Sequence, residues 1–175
     1  EDDFGVEMKG DDSPITRADR LADIVIGDIL KQNFPNITIV SEESNCDLTS
    51  ATGEIYFLVD PLDGTREFIK KTGEFTVNIA VILNGKAELG VVYVPVTKEL
   101  YYRDLDGLSY LESDVNNFEL RGERTQIFCR AADMDNLSVV RSVSHSTPET
   151  EAYISGYMPN NSASAGSSLK FGLIA

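Results

Sequence analysis

Ile55-Tyr56-Phe57-Leu58-Val59 runs without a break into Asp60-Pro61-Leu62-Asp63-Gly64-Thr65. Five consecutive apolar residues ending in turn formers read as a strand buried on both faces. The turn that follows carries two carboxylates, a proline that stiffens it, and a glycine that permits a backbone conformation other residues resist. Upstream, Ile37-Thr38-Ile39-Val40 is a second short strand, and it delivers Ser41-Glu42-Glu43-Ser44 at its end. Two neighbouring strands would therefore bring Glu42, Glu43, Asp60 and Asp63 together, whereas carboxylates along a helix face would be solvated.

Working outward, Thr16 is a candidate helix N-cap, with Asp19 three residues on as the acidic member of a capping box. Leu21, Ile24, Val25 and Ile29 recur at helical spacing, which predicts an amphipathic helix over 17–32, stopped at Phe34-Pro35-Asn36. Residues 45–54 are polar and loop-like. Phe75–Leu83 and Ala87–Val96 flank Asn84-Gly85, a strong hairpin signal. Glu99–Arg103, Gly107–Leu111 and Phe118–Leu120 continue an antiparallel meander. The character changes around Asp133–Asn136: Ser138–Ser142 is a new strand, Thr147–Tyr153 a helix with Thr147 and Pro148 at its start, and another helix begins at Ala165. The expected fold is layered α/β (α+β), an antiparallel sheet with packed helices. Residues 1–130 form its first domain, and 131–175 open a second α/β domain. Glu1 and Ala175 read as truncation points.

The chain has 175 residues, with 15 Lys and Arg against 29 Asp and Glu, a net charge of -14. That field repels nucleic acid polymers and anionic membranes, so neither is an expected partner. No apolar run reaches the length of a membrane span. Cys46 and Cys129 lack the spacing of a disulfide framework or zinc site and read as free thiols in a reducing cytoplasm. An acidic protein that binds phosphate needs a local source of positive charge. Four clustered carboxylates repel one another unless cations sit between them, and hard oxygen ligands suit Mg²⁺ or Mn²⁺. Asp60, Asp63 and the Leu62 carbonyl can hold such an ion, while the N–H groups of Gly64 and Thr65 can meet an anion. The plainer alternative is that Asp-Pro and Asp-Gly are ordinary turns and Glu-Glu is solvated. The coincidence of both motifs at successive strand ends favours a metal site. For Asp19, the residues alone support cap and functional residue about equally.

Glu42-Glu43-Ser44 with Asp60-Pro61-Leu62-Asp63-Gly64-Thr65 resembles the paired signature of the lithium-sensitive, metal-dependent phosphatases of the inositol monophosphatase superfamily. Ser13-Pro14-Ile15-Thr16-Arg17-Ala18-Asp19, Arg66-Glu67-Phe68, Gly73–Ile79, Ser144-His145 and Gly166–Phe171 resemble segments of its 3'(2'),5'-bisphosphate nucleotidases. The resemblance covers nearly the whole chain. It implies Glu42, Asp60, Leu62 and Asp63 as ligands for two or three Mg²⁺. It implies Thr65, paired with Asp19, as the group that activates water, supported by Glu43. The phosphate and nucleotide side would be lined by Glu42, Leu62, Asp63, Gly64, Thr65, Ser144, His145, Ser167 and Lys170. The implied reaction is hydrolysis of the 3'-phosphate of adenosine 3',5'-bisphosphate in sulfur metabolism. It implies a cytoplasmic enzyme, peripheral to the inner membrane in some bacterial members. The alternatives are an inositol or sugar-bisphosphate phosphatase, or an inactive metal- and phosphate-binding fragment. Family members carry a Trp-Asp motif beyond the position of Ala175, and this chain has no Trp. Gly172 stands where the family often has Cys. Oligomeric state has no signal in the sequence.

Overall fold

The computed structural model describes residues 4–44, 54–115 and 123–175. The chain opens with a small antiparallel pair, β1 (Glu7–Met8) and β2 (Pro14–Ile15), that sequence reading did not anticipate. Helix α1 follows over Arg17–Asn33, capped at Thr16 in the expected capping box with Asp19. Then come β3 (Thr38–Ser41), β4 (Ile55–Asp63), a short α2 (Thr65–Ile69), β5 (Thr76–Leu83), β6 (Lys86–Val94), β7 (Glu99–Arg103), β8 (Ser109–Glu112) and β9 (Arg124–Ile127). The last part holds β10 (Ser138–Ser142), α3 (Pro148–Gly156), β11 (Asn161–Ala165) and α4 (Leu169–Ile174). No helix among the described residues is long and apolar enough to cross a membrane.

Strands β3 to β9 form one seven-stranded sheet in sequence order. The sheet is mixed rather than wholly antiparallel: β3 and β4 run parallel, and every later pair is antiparallel. The parallel pair is what the site requires, because Glu42 and Asp60 then leave the sheet at the same end. Strand β10 pairs in parallel with β11 in a separate two-stranded sheet. The expected division near residue 130 falls in the segment between the two sheets.

The core lies between α1 and one face of β3 to β5. Leu30, Phe57 and Val59 are buried there, with Ile26, Ile37, Ile39, Ile79 and Val81 packed around them. Leu30 and Ile26 are one helical turn apart and make the contact. Leu21, Ile24, Val25 and Ile29, the stripe that marked the helix in the sequence, lie on its exposed side in this chain. The Asn84-Gly85 hairpin is as expected. Both residues have positive φ, 50° and 75°, the twist that a two-residue hairpin turn needs.

Several elements differ from expectation. Ala165 closes strand β11 instead of starting a helix, which begins four residues later at Leu169. Asn161-Ser162-Ala163-Ser164-Ala165 has almost no apolar side chain to announce a strand, and parallel pairing with β10 holds it. Strand β9 was not read from the sequence at all. The expected strand over Phe118–Leu120, Cys46, and all of the expected loop over 45–54 except Glu54 lie outside the described residues. Cys129 is exposed and unpaired with any described cysteine.

Candidate active site

Strand β4 loses regular pairing where its carboxylates begin. Asp60 pairs with Asn78 and Asp63 with Thr76, so three steps on β4 answer two on β5. Such a bulge re-aims side chains and is common beside active sites. Gly64 then turns into α2 with φ of 91°, a conformation glycine takes without steric cost. Its place is tight as well: a Cβ there would lie 3.1 Å from Ser167 Cβ and 3.3 Å from the Glu74 carbonyl oxygen.

Asp60 sits beside Glu42 and Asp63. Burial, and then repulsion from Glu42 and Asp63, push its pKa up to about 8. Its Oδ1 accepts from Leu62 N–H at 3.2 Å. Glu42 and Glu43 share a cation from within the chain. Lys9 Nζ donates to Glu42 Oε1 at 2.8 Å and to Glu43 Oε1 at 2.7 Å. Burial raises the pKa of Glu43, and Lys9 opposes that rise. Asp63 is engaged on its other side: its Oδ2 accepts from Ser168 N–H at 2.6 Å and Ser168 Oγ at 2.5 Å.

These residues fit a hard divalent cation in their chemistry. They are all-oxygen ligands, and a carboxyl whose pKa is raised by burial and then by neighbouring Glu42 and Asp63 gains from a cation beside it. Among the described residues, however, no three acidic, His or Cys side chains are already gathered into a cation cage. Glu42 accepts from Lys9 and Asp63 accepts from Ser168 in this arrangement.

Thr65 lies at the start of α2. Its Oγ1 is within reach of Asp19 Oδ1 at 3.0 Å and of the Leu62 carbonyl at 3.4 Å. Asp19 is fully buried. Glu42, Asp63, Gly64, Thr65, His145, Ser167 and Lys170 all border one cleft of about 310 Å³. Asp60 borders an adjoining, more apolar groove of about 610 Å³, and Glu42 belongs to both. His145 is exposed at the cleft rim. Lys170 turns back to donate to the Ser167 carbonyl at 2.5 Å. Ser144 donates to Glu67 behind the cleft wall.

Of the twelve residues singled out in the sequence, seven border this cleft and Asp60 borders the adjoining groove; Asp19 and Leu62 meet Thr65, Glu43 shares Lys9 with Glu42, and Ser144 bonds Glu67. Sequence reading missed Lys9, Asn78, Glu74 and Ser168. Asn78 Nδ2 reaches Asp63 Oδ2 at 3.3 Å and Ser168 Oγ at 3.0 Å. Only the strand register, which puts Asn78 opposite Asp60, would have singled it out. Lys9 carried no signal, because nothing in its spacing predicts that the β1–β2 hairpin reaches the carboxylates.

Comparison with known proteins identifies the family of the chain. The chain is 45% identical over 173 residues to the 3'(2'),5'-bisphosphate nucleotidase CysQ of Salmonella typhimurium, covering 95% of this chain and 64% of that protein. Against the CysQ nucleotidase of Escherichia coli K12 it is 43% identical over 171 residues, covering 97% and 65%. The chain therefore spans just under two thirds of these relatives. Among solved structures, CysQ from Bacteroides thetaiotaomicron superposes with a TM-score of 0.78 at 40% identity, over 95% of this chain and 65% of that one. A Thermotoga maritima IMPase superposes equally well, at 0.78 over 98% and 65%, but at 23% identity it speaks for the fold alone. The sequence profile of one family, described as the inositol monophosphatase family, matches residues 1–175 from end to end; this chain belongs to that family.

Proposed function

We propose that the protein is a magnesium-dependent phosphomonoesterase that hydrolyses the 3'-phosphate of adenosine 3',5'-bisphosphate to AMP and phosphate, in sulfur metabolism. The observation that carries this reading is the placement of Asp60, Glu42 and Asp63 beside the Thr65–Asp19 pair, at one end of a parallel strand pair. The likeness to CysQ nucleotidases supports the choice of substrate.

Glu42, Asp60, Asp63 and the Leu62 carbonyl would hold two or three Mg²⁺, with Mn²⁺ able to replace them. Bound metal supplies charge neutralisation at the phosphoryl oxygens and acidifies water. The chain's own residues do the rest. With its proton directed to Asp19, Thr65 Oγ1 turns lone pairs toward the cleft and accepts from the attacking water, which fixes that water's orientation. Asp19 is bound on its other oxygen by Thr16, so it cannot swing away. Glu43 sits close by as a secondary acceptor. Water adds to phosphorus and releases a proton, the bond to the 3'-oxygen breaks, and that oxygen leaves with the electron pair and takes up one proton from solvent. The Ser144–His145 turn and the Ser167–Lys170 segment face the rest of the substrate. The field of the acidic chain disfavours polymeric nucleic acid. We place the enzyme in the cytoplasm.

The test is phosphate release from adenosine 3',5'-bisphosphate, inositol 1-phosphate, fructose 1,6-bisphosphate and AMP by the full-length protein. The bisphosphate nucleotide is expected to have the highest kcat/KM and AMP almost none, and excess EDTA should stop all release. Preference for inositol 1-phosphate would overturn the substrate assignment, and full activity in EDTA would overturn the metal assignment.

A further inference from the structure

Glu67 plays no part in the chemistry above, yet it is 3% exposed, on a helix of five residues at the edge of the cleft. A carboxylate that buried is kept only where donors meet it. Ser144 Oγ donates to its Oε1 across 77 positions of sequence. Its other oxygen lies 3.3 Å from where a Cβ on Gly64 would stand. Gly166 presses on the same side chain from the opposite direction. A Cβ at Gly166 would collide with Glu67 Cγ and lie 2.9 Å from the Glu74 carbonyl oxygen. The Gly166 N–H in turn donates to Glu74 Oε2 at 2.9 Å.

Glu67 therefore meets three places in the chain: the carboxylate loop at Gly64, which caps its own helix, the turn at Ser144 through the serine hydroxyl, and the turn at Gly166. The first holds the reacting phosphate in the proposed function. The other two carry His145, Ser167 and Lys170, which form the far wall of the cleft. An anionic side chain on that wall would repel an anionic substrate if it faced it freely. Turned inward onto Ser144, it acts through its neighbours instead.

We propose that Glu67 is a positioning residue for the leaving-group side of the cleft, fixing the Ser144–His145 and Gly166–Ser168 turns against the loop that holds the reacting phosphate. This rests on the phosphatase reading above. It accounts for glycine at 166, where any side chain would displace Glu67. It also assigns the contact to the acceptor oxygen at Oε1 rather than to net charge.

The experiment compares two substrates of the full-length protein: adenosine 3',5'-bisphosphate, which spans the cleft, and p-nitrophenyl phosphate, whose small leaving group bears no second phosphate. Glu67→Ala should raise KM for the bisphosphate about tenfold while changing kcat by less than about threefold. For p-nitrophenyl phosphate, kcat/KM should stay within about twofold, and so should the Mg²⁺ concentration for half-maximal activity. Glu67→Gln keeps an acceptor oxygen at the same reach and should restore KM for the bisphosphate. A Glu67→Ala/Ser144→Ala double variant should be no worse than the poorer single one, because both remove the same contact. If Glu67→Ala does not fold, Glu67→Asp, one methylene too short to reach Ser144, carries the same expectation. Equal losses on both substrates, additive effects in the double variant, or an unchanged KM would each overturn the proposal. Should the wild-type protein prefer another large phosphate ester, the substrate assignment fails by itself, and the KM comparison is then made with that ester.

Discussion

Thr65 Oγ1 and Asp19 Oδ1 are 3.0 Å apart although 46 positions separate them in sequence. Asp19 is at the same time the N3 acid of the capping box that starts α1. Its Oδ2 accepts from Thr16 N–H at 2.8 Å and from Thr16 Oγ1 at 2.5 Å. One carboxylate thus anchors a helix start with one oxygen and orients the candidate water-activating hydroxyl with the other. The cap that the sequence offers for Asp19 is thus present, and its second oxygen meets Thr65 as the proposed role requires.

Thr65 should therefore be sensitive to loss of its hydroxyl and tolerant of loss of its methyl. Thr65→Ser is expected to keep kcat within about fivefold, and Thr65→Val to lower it by about a hundredfold or more. Thr65→Val also leaves Asp19 Oδ1 without its donor, at about 1 kcal/mol of stability. Phosphate release gives kcat, and calorimetry gives Tm. Equal activity in the two variants would remove Thr65 from the chemistry.

Much of this site was legible in the sequence for a definite reason. Asp60, Asp63, Glu42 and Glu43 lie one to four residues past two apolar runs, so the strands built on those runs deliver them, and β4 continues through Asp63 itself. Thr16 and Asp19 were marked by local capping chemistry. What stayed hidden depends on packing between distant segments. Lys9 meets Glu42 and Glu43 across more than thirty positions, and Ser168 meets Asp63 across 105. The apolar stripe of α1 signalled a helix correctly, but periodicity alone does not say that Ile26 and Leu30 form the face on this sheet. Strand β11 escaped because its residues are small and polar, and its pairing with β10 is non-local.

Lys9 occupies Glu42 and Glu43 with the one ammonium that the described structure places on them. A divalent cation that recruits Glu42 must share it with Lys9 or displace it. Lys9→Met removes both the competing bond and a like charge. Isothermal titration of the full-length protein with Mg²⁺ should show about three- to tenfold tighter binding in the variant at low salt. The gain should shrink as ionic strength rises. Weaker binding in Lys9→Met would mean that Lys9 holds Glu42 in place for the metal instead of competing with it.

Asp60 should make the metal-free protein less stable as pH rises. Its pKa, near 3.8 in an unfolded chain, is pushed up to about 8 by burial and by Glu42 and Asp63. The folded state therefore binds a proton here that the unfolded state has released. By linkage, the stability contributed by this group is fully present below about pH 4 and is lost progressively until about pH 8. Solvent reaches part of the site, so the swing is on the order of 1–2 kcal/mol rather than the full value of the shift. Thermal melts of the metal-free protein between pH 5 and pH 8.5 should thus show a Tm falling by several degrees, to the extent that this group dominates the slope. Mg²⁺ should offset the fall, and its stabilising effect should be largest at the alkaline end, where the carboxylate is ionised and free to bind. Asp60→Asn cannot ionise. Without metal it should melt a few degrees above the wild-type protein at pH 8.5 and lose the corresponding part of the pH slope. It should also respond little to Mg²⁺ and release no phosphate. If Asp60→Asn instead melts below the wild-type protein at pH 8.5 in EDTA, Asp60 is ionised and satisfied within the protein, and the carboxylate cluster is not poised for a cation.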